Sequence, residues 1–340
     1  MDFKKLFRSF ESKKVLIIGD VMIDSYITGR IVRMSPEAPV PIVNVTGREE
    51  RLGGAANVAL NIQSLGATPF ICAVTGDDEN EKILKRLFKE NKLSAEGLIK
   101  LKNRATTVKT RIISDKKHVL RLDEETDKEI SFAEVKILFQ KISSVIEKEN
   151  ISVIIVEDYD KGCITPTLIK EVVNLARRKI IPVAVDPKKR NFLSYNGVML
   201  FKPNLKELNE GLKVGKLNPS DREEVERVVE AFRKKLNIDT ILLTLSEHGM
   251  FITNGKNKHH IPAHIRKIVD VSGAGDTVIA VAALCLAVKT DSKTLVELAN
   301  LAGGLVCERS GVVSVNKKAL LTAALKHIGK PLFILQEKNS

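Results

Sequence analysis

The segment Asp270-Val271-Ser272-Gly273-Ala274-Gly275-Asp276-Thr277 carries the residue types best suited to chemistry. Two glycines flank an alanine, an acid follows at once, and a small apolar run from Val278 to Leu286 predicts a helix starting there. The first N–H groups of a helix have no partner inside it, and with no bulky side chain over them they can hold anionic oxygens. Asp276 would sit just inside that pocket, placed to orient a hydroxyl against a phosphoryl group. The pattern therefore points to phosphoryl transfer, with Gly273, Ala274 and Gly275 as the anion hole. A glycine-rich turn packed between a strand and a helix would give the same letters.

Other candidates stand at the ends of short apolar runs. Val15 to Ile18 closes on Gly19-Asp20, with Asp24 expected on the same loop. Such acids can accept hydrogen bonds from sugar hydroxyls, or act as turn and cap residues. Gly53-Gly54 opens a run whose Val58, Ile62 and Leu65 share one helical face and whose stop is Gly66. The paired glycines allow close approach of a ligand or of another helix, and Asn57 lies one turn in.

The elements that must position these residues alternate from Ile130 onward. Helices are expected to about Lys148, from Thr165-Pro166 to Arg178, and at about 220–236. Strands are expected at Ile151–Val156, Ile180–Val185, Val198–Phe201 and Thr240–Leu245. This order predicts an α/β fold with a mostly parallel sheet and helices on both faces. Functional residues gather at the C-terminal strand ends of such sheets, where Asp20, Asp158, Asp186, Asn204 and Ser246 all fall. Helices are also expected at about 292–309 and 317–327. Val108–Ile113 and Val119–Leu122 read as a hairpin turning at Asp115-Lys116-Lys117. The proline-rich stretch Ser35-Pro36-Glu37-Ala38-Pro39-Val40-Pro41 suits an exposed or edge strand. Together they predict a small sheet, from about 24–50 and 105–123, with an apolar face that must cover a pocket or pair with a second copy. A single domain over 1–330, followed by a polar tail at 331–340, is expected.

Composition narrows the function classes. The 340 residues suffice for a large core. No run is long and apolar enough to span a bilayer, and the N-terminus lacks an apolar signal core, so a cytoplasmic location is expected. The four cysteines show no paired spacing and read as buried free thiols, and the six histidines show no metal-ligand spacing. The formal charge is +13, but lysines are mixed with glutamates, aromatics make up 4% and tryptophan is absent. Stacking platforms for nucleic acid are therefore scarce. A dinucleotide oxidoreductase is disfavoured because no glycine fingerprint follows the first strand.

The Gly53-Gly54 helix, Asn204-Leu205-Lys206-Glu207 and the Asp270-to-Asp276 segment, in that order, resemble the ribokinase-like carbohydrate kinases. Gly19-Asp20-Val21-Met22-Ile23-Asp24-Ser25-Tyr26, the proline-rich stretch, Gly53 to Ala59 and Arg121-Leu122-Asp123 resemble one branch more closely. So do Asp158-Tyr159-Asp160-Lys161-Gly162, Asp186-Pro187-Lys188 and Ser246-Glu247-His248-Gly249-Met250. That branch is the heptose-7-phosphate kinases of lipopolysaccharide core synthesis, and the resemblance covers about residues 13–325.

The resemblance implies ATP-dependent phosphorylation of O1 of D-glycero-D-manno-heptose 7-phosphate, with Asp276 as the catalytic carboxylate that takes the hydroxyl proton. It implies Mg²⁺ held through water by Asn204 and Glu207. Thr244, Ser246, Gly249, Gly273, Gly275 and Asn300 would form the nucleotide pocket. Asp270 and Ser272 would form a monovalent-cation site for K⁺. Asp20, Asp24, Gly53, Gly54, Asn57 and Asp158 would face the sugar, and Lys109, Arg111, Lys161 and Lys188 its phosphate. A homodimer through the small sheet is expected. Many members carry a C-terminal cytidylyltransferase-like domain, and with the sequence ending at Ser340 that step is expected of a separate nucleotidyltransferase. Ser272 stands where a threonine is usual, and Glu157 where relatives often have a small residue. A kinase of another sugar, sugar phosphate or nucleoside stays open, as does a non-catalytic nucleotide-binding regulator.

Overall fold

A computed structural model describes residues 1–115, 117–264 and 267–328. The predicted tail at 331–340, and Lys116 of the predicted turn, lie outside the described residues. In chain order the first elements are α1 (Phe3–Phe10), β1 (Lys14–Gly19), β2 (Val21–Met34), β3 (Pro41–Gly54), α2 (Ala55–Ser64) and β4 (Thr68–Gly76). Next come α3 (Glu79–Glu90), β5 (Leu98–Leu101), β6 (Thr107–Ser114), β7 (Lys117–Glu124), α4 (Phe132–Lys148), β8 (Val153–Glu157) and α5 (Pro166–Lys179). Then follow β9 (Val183–Asp186), β10 (Leu200–Phe201), α6 (Leu205–Leu212), α7 (Arg222–Lys235) and β11 (Thr240–Thr244). The last are β12 (Met250–Thr253), β13 (Lys258–Ile261), α8 (Ala274–Ala287), α9 (Ser292–Cys307) and α10 (Lys317–His327).

The large sheet has nine strands in the order β13-β12-β11-β10-β9-β8-β1-β4-β5. It is parallel from β5 to β11, and β12 and β13 add an antiparallel edge. Alternate side chains feed two cores. Val15, Ile17, Val153 and Ile155 pack toward α2, α8 and α9. Leu16, Ile18, Ile154 and Val156 pack toward α4, α5 and α7. Strands buried on both faces in this way read as continuous apolar runs, which is why they are visible in the sequence.

The second sheet has the order β3-β2-β6-β7. β3 is an edge strand, and Pro41 pairs with Met34 at its far end, where a missing N–H costs no ladder bond. Ile31, Val32, Met34, Val45, Leu120 and Leu122 are exposed on this sheet.

Three expectations need correction. Asp24 does not lie on a loop: it is inside β2, because Val21, Met22, Ile23 and Tyr26 bury while the chain pairs with both β3 and β6. The strand expected from Ile180 begins at Val183. Ile180 caps α5 in a left-handed conformation and is 91% exposed, its apolar side chain giving a false strand signal. The structure also adds α1 and the β4-α3-β5 unit, which the sequence pattern does not single out. In α1, Phe3, Leu6, Phe7 and Phe10 form the buried stripe and Asp2 caps the first turn by accepting from Lys5 N–H.

Candidate active site

The start of α8 meets α2 and the loop after β8 at one carboxylate. Asp276 is 3% exposed. Its Oδ2 accepts from Asn57 Nδ2 at 2.6 Å, and its Oδ1 accepts from the Tyr159 hydroxyl at 2.6 Å. The next residue, Thr277, donates through Oγ1 to Asn61 Oδ1 at 3.0 Å, and Asn61, one turn along α2 from Asn57, donates Nδ2 to the Asn57 carbonyl at 2.9 Å. These bonds fix α2 against α8 and hold Asp276 in one rotamer. Burial first, then the Asp276 charge, pushes the Tyr159 phenol well above its usual range, so it remains a donor.

Gly273 caps α8 at φ 78°, a left-handed conformation that a side chain would strain, and no side chain bonds the helix end. Ala274 N–H donates to the Val271 carbonyl at 3.2 Å, so the groups at this turn that can face an anion are the N–H groups of Gly275 and Asp276. A Cβ on Gly275 would come no nearer than 3.6 Å to Lys202 Nζ and 3.7 Å to Asp186 Oδ2. The segment Gly273 to Asp276 thus lies between Asn57 and a buried lysine, with a side chain tolerated sterically at 275 but not at 273.

Below that turn, neighbouring strand ends carry charged side chains on the face toward α8. Glu157 and Asp186 stand opposite each other in the β8–β9 register. Lys202 Nζ bonds Asp186 Oδ2 at 2.7 Å, with both groups buried. Glu157 is fully buried, and among the described residues neither of its carboxyl oxygens has a hydrogen-bond partner. Burial first, then the charges of Asp186 and Asp276, drives it far above the usual carboxylate range, so it keeps its proton. Lys188 bonds Glu207 Oε1 and lies 5.2 Å over the Tyr159 ring. Asn204 and Glu207 form a reciprocal capping box at the start of α6, each bond 2.8 Å.

The predicted site residues fall into groups. Asp276, Gly273, Ala274, Gly275 and Asn57 come together. Asp24 joins them from β2, bonded to Arg111 and crowded by Gly53, whose Cβ position is 2.2 Å from Asp24 Oδ2. Gly54 closes β3 onto the backbone of Asp20. Asp20 itself is turned away. Its carboxylate accepts backbone N–H groups of Tyr159, Lys161 and Cys163 at 2.9, 3.2 and 3.1 Å, so it anchors the loop after β8. Asp158 also points away, accepting from Asn191 Nδ2, the Tyr195 hydroxyl and Asp160 N–H at 3.1, 2.8 and 2.9 Å. Alternation along the chain explains this: Glu157 faces α8, so Asp158 faces the opposite core. Lys109 and Lys161 share Glu125, at 3.0 and 2.7 Å.

Thr244 is bridged to Asn204 across the β10 and β11 strand ends. Ser246 and Gly249 lie on the following turn, both with positive φ. Asn300 Nδ2 donates to the Pro262 carbonyl at 2.8 Å. Beside them a cleft of about 200 Å³ is lined by Arg222, Leu245, His248, His260, Ile261 and Pro262. Asp270 is a loop staple: Oδ1 accepts from Ser272 N–H at 2.9 Å and Oδ2 from Gly311 N–H at 2.8 Å. Sequence reasoning does not single out Tyr159, Asn61, Thr277, Lys202 or Glu125 for this site. Their signal is weak because their roles arise from contacts between residues far apart in the chain.

Among the described residues, no group of three acid, cysteine or histidine side chains converges closely enough to ligate an ion directly. Glu157, Asp186 and Glu207 nevertheless ring the site, with Asp186 Oδ1 unpartnered among the described residues. The unpartnered Asp186 oxygen and the Glu207 carboxyl are hard oxygen donors of the kind that suit a divalent cation keeping its water shell.

Asp158 gives this region a pH signature. Burial first, then the charge of Asp20, raises its carboxyl to about 6. The folded state thus holds a proton that the unfolded state releases near its ordinary value, and Asp158 contributes stability that fades as pH rises through about 4 to 6. Asp158→Asn removes that dependence. Urea unfolding should show the variant gaining on the wild type by roughly 2 kcal/mol between about pH 4 and pH 7. A constant difference across that range would contradict the assignment.

Comparison with known proteins bears on this geometry. The model of the pfkB family carbohydrate kinases matches residues 12–319. This chain belongs to the pfkB carbohydrate kinase family. It is 36% identical over 316 residues to the bifunctional protein HldE of Geobacter sulfurreducens, covering 92% of this chain and 63% of that protein. The chain therefore spans less than two thirds of that curated relative's length. In structure it is similar to phosphofructokinase-2 from Escherichia coli in complex with potassium, with a TM-score of 0.76 and 15% identity over 93% of this chain and 99% of that one. It is also similar to Arabidopsis thaliana ribokinase complexed with ribose and ATP, with a TM-score of 0.70 and 15% identity over 92% and 98% of the two chains. The fold is thus ribokinase-like, as expected. Among the described residues, no helix is long and apolar enough to cross a membrane.

Proposed function

We propose that this pfkB carbohydrate kinase transfers the γ-phosphoryl group of ATP to O1 of D-glycero-D-manno-heptose 7-phosphate, giving the 1,7-bisphosphate. The observation that carries the kinase reading is Asp276, buried and doubly hydrogen-bonded at an uncapped helix start. The substrate comes from the resemblance to heptose-7-phosphate kinases, above all the proline-rich stretch, and the HldE relative supports it.

In this reading the sugar lies between Asp276 and the inner end of the small sheet, its acceptor hydroxyl on the Asp276 carboxylate. Asp24 and Asn57 bind sugar hydroxyls. The hydroxyl proton passes to Asp276 as the O–P bond forms, and ADP leaves. Phosphoryl transfer has a loose transition state, so alignment and charge stabilisation carry most of the rate. The N–H groups at the start of α8 hold the charge on the transferring oxygens. Lys188 and Lys202 add positive charge from below. Asn204 and Glu207 would hold Mg²⁺ through water, which would supply positive charge beside the polyphosphate. Thr244, Ser246, Gly249 and Asn300 border the nucleotide, whose base enters the cleft near His248 and Pro262. Lys109 and Lys161 take the 7-phosphate, which displaces Glu125 from between them. The small sheet is the lid, and its exposed apolar residues make the contact with a second copy. A nucleotidyltransferase acting on the product is the partner activity, and the cytoplasm the location, that this reading implies.

The test is ADP release with Mg-ATP against both anomers of the heptose 7-phosphate, fructose 6-phosphate, ribose and adenosine. Turnover of a heptose 7-phosphate alone is expected. Turnover of another acceptor would keep the mechanism and reject the substrate. ATP binding without turnover of any acceptor would favour the regulator.

A further inference from the structure

The loop of residues 310–312 lies against the anion hole. A Cβ on Gly273 would stand 3.3 Å from Val312 Cγ1. Gly311, at φ 71°, donates its N–H to Asp270 Oδ2. Val269 and Asp270 N–H groups both bond the Cys307 carbonyl, at 2.8 and 3.2 Å. A monovalent cation at Asp270 would have to be coordinated by carbonyl oxygens of this loop, because such ions are held by oxygens that replace their water shell.

Two of those carbonyls are already engaged. Arg51, on β3 of the small sheet, donates Nη1 to the carbonyls of Ser310 and Val312, at 3.2 Å each. Its guanidinium lies 5.1 Å over the Tyr26 ring, and the Tyr26 hydroxyl accepts from Val312 N–H at 3.2 Å. Glu49 fixes the other side through Nε and Nη2, at 2.6 and 3.0 Å. A Cβ on Gly311 would meet Arg51 Nη1 at 2.5 Å, so this position leaves room for the guanidinium and no more. Asp270 likewise spends both oxygens on backbone N–H groups. The donor set therefore fits a guanidinium and does not fit the K⁺ site expected from the sequence.

We infer that Arg51 is a built-in replacement for a monovalent cation, so that this kinase needs no alkali ion to organise its anion hole. A guanidinium is always charged, planar and weakly hydrated, and its fixed donors can hold two carbonyls in one geometry. The charge comes from the small sheet. Contact of that sheet with the 310–312 loop is then what completes the hole. The effect on rate rests on the kinase reading above, whereas the effect on stability does not.

The experiment replaces K⁺ and Na⁺ by tetramethylammonium at constant ionic strength and reads two quantities, ADP release and the thermal midpoint. The wild type should change by less than about twofold in rate, with an unchanged midpoint. Arg51→Gln should lose about tenfold or more in rate and melt lower in tetramethylammonium, and recover part of both in K⁺ or millimolar guanidinium. Arg51→Lys, which keeps a charge, should fall between the two and guards against a misfolded Gln variant. Stimulation of the wild type by K⁺ of about tenfold or more would overturn the inference. So would an Arg51→Gln protein indifferent to every cation. Should no acceptor turn over, the midpoints still decide the role of Arg51, so failure of the substrate reading stays distinct from failure of this one.

Discussion

Asp276→Asn should lower kcat by a factor of about 10² to 10⁴ while leaving the affinity for ATP within about threefold. The carboxylate is immobilised at the anion hole jointly by α2, α8 and the loop after β8. It receives a proton only when the O–P bond forms, so its loss falls on the transition state and spares the ground state. The substitution is nearly isosteric, yet one bond must be remade. The introduced amide could still accept from the Tyr159 hydroxyl through its oxygen, but its NH₂ would then face the NH₂ of Asn57. The Asn57 amide would have to turn over, giving up its present donor geometry, at a cost of about 1 kcal/mol. Unfolding in urea should therefore show a small loss of stability beside the large loss of rate. If kcat fell by less than about tenfold, Asp276 would not be the proton acceptor.

What could be read from the sequence divides along physical lines. Strands buried on both faces, such as Val15 to Ile18 and Thr240 to Leu245, announce themselves as apolar runs. The start of α8 is legible as a turn opening a helix, because glycines and small residues precede an acid and an apolar run, although the motif alone does not tell an anion hole from a packed turn. The proline-rich stretch is legible as an exposed segment, since proline cannot donate to a ladder, and residues 35–40 form the exposed connection between β2 and β3 with only Pro41 inside the edge strand. The directions of side chains are not legible. Asp20 and Asp158 have the right type and place, yet both point into loop backbone or the far core, a matter of strand parity that shifts with a single residue. Lys202 and Tyr159 look like ordinary members of strand ends. Only the pairing of β8, β9 and β10 brings Lys202 beside Asp186 and beneath Gly275. Arg51 shows the limit from the other side, because its role depends on a carbonyl 259 positions away.

Lys202→Met should destabilise the protein by about 3–5 kcal/mol, the largest stability loss expected of a single change near the site. Lys202 is buried, and burial alone would lower its affinity for a proton. The charges of Asp186 and Glu207 outweigh that, so it stays charged. Removing the ammonium leaves Asp186 buried without its partner at 2.7 Å, and Glu157 beside it in register. Two acids cannot both ionise there, and they respond by holding protons. Their folded-state proton affinity then rises further above that of the unfolded chain. Stability must fall as pH rises, so the gap between wild type and Lys202→Met should widen from mildly acidic to mildly alkaline solution. A second change separates this account from simple loss of packing. Asp186→Asn in the Lys202→Met background removes the stranded charge and should restore part of the stability, whereas Asp186→Asn alone should destabilise. The coupling in that double-mutant cycle is expected to exceed about 1 kcal/mol, and additive losses would show that the pair does not act through its charges.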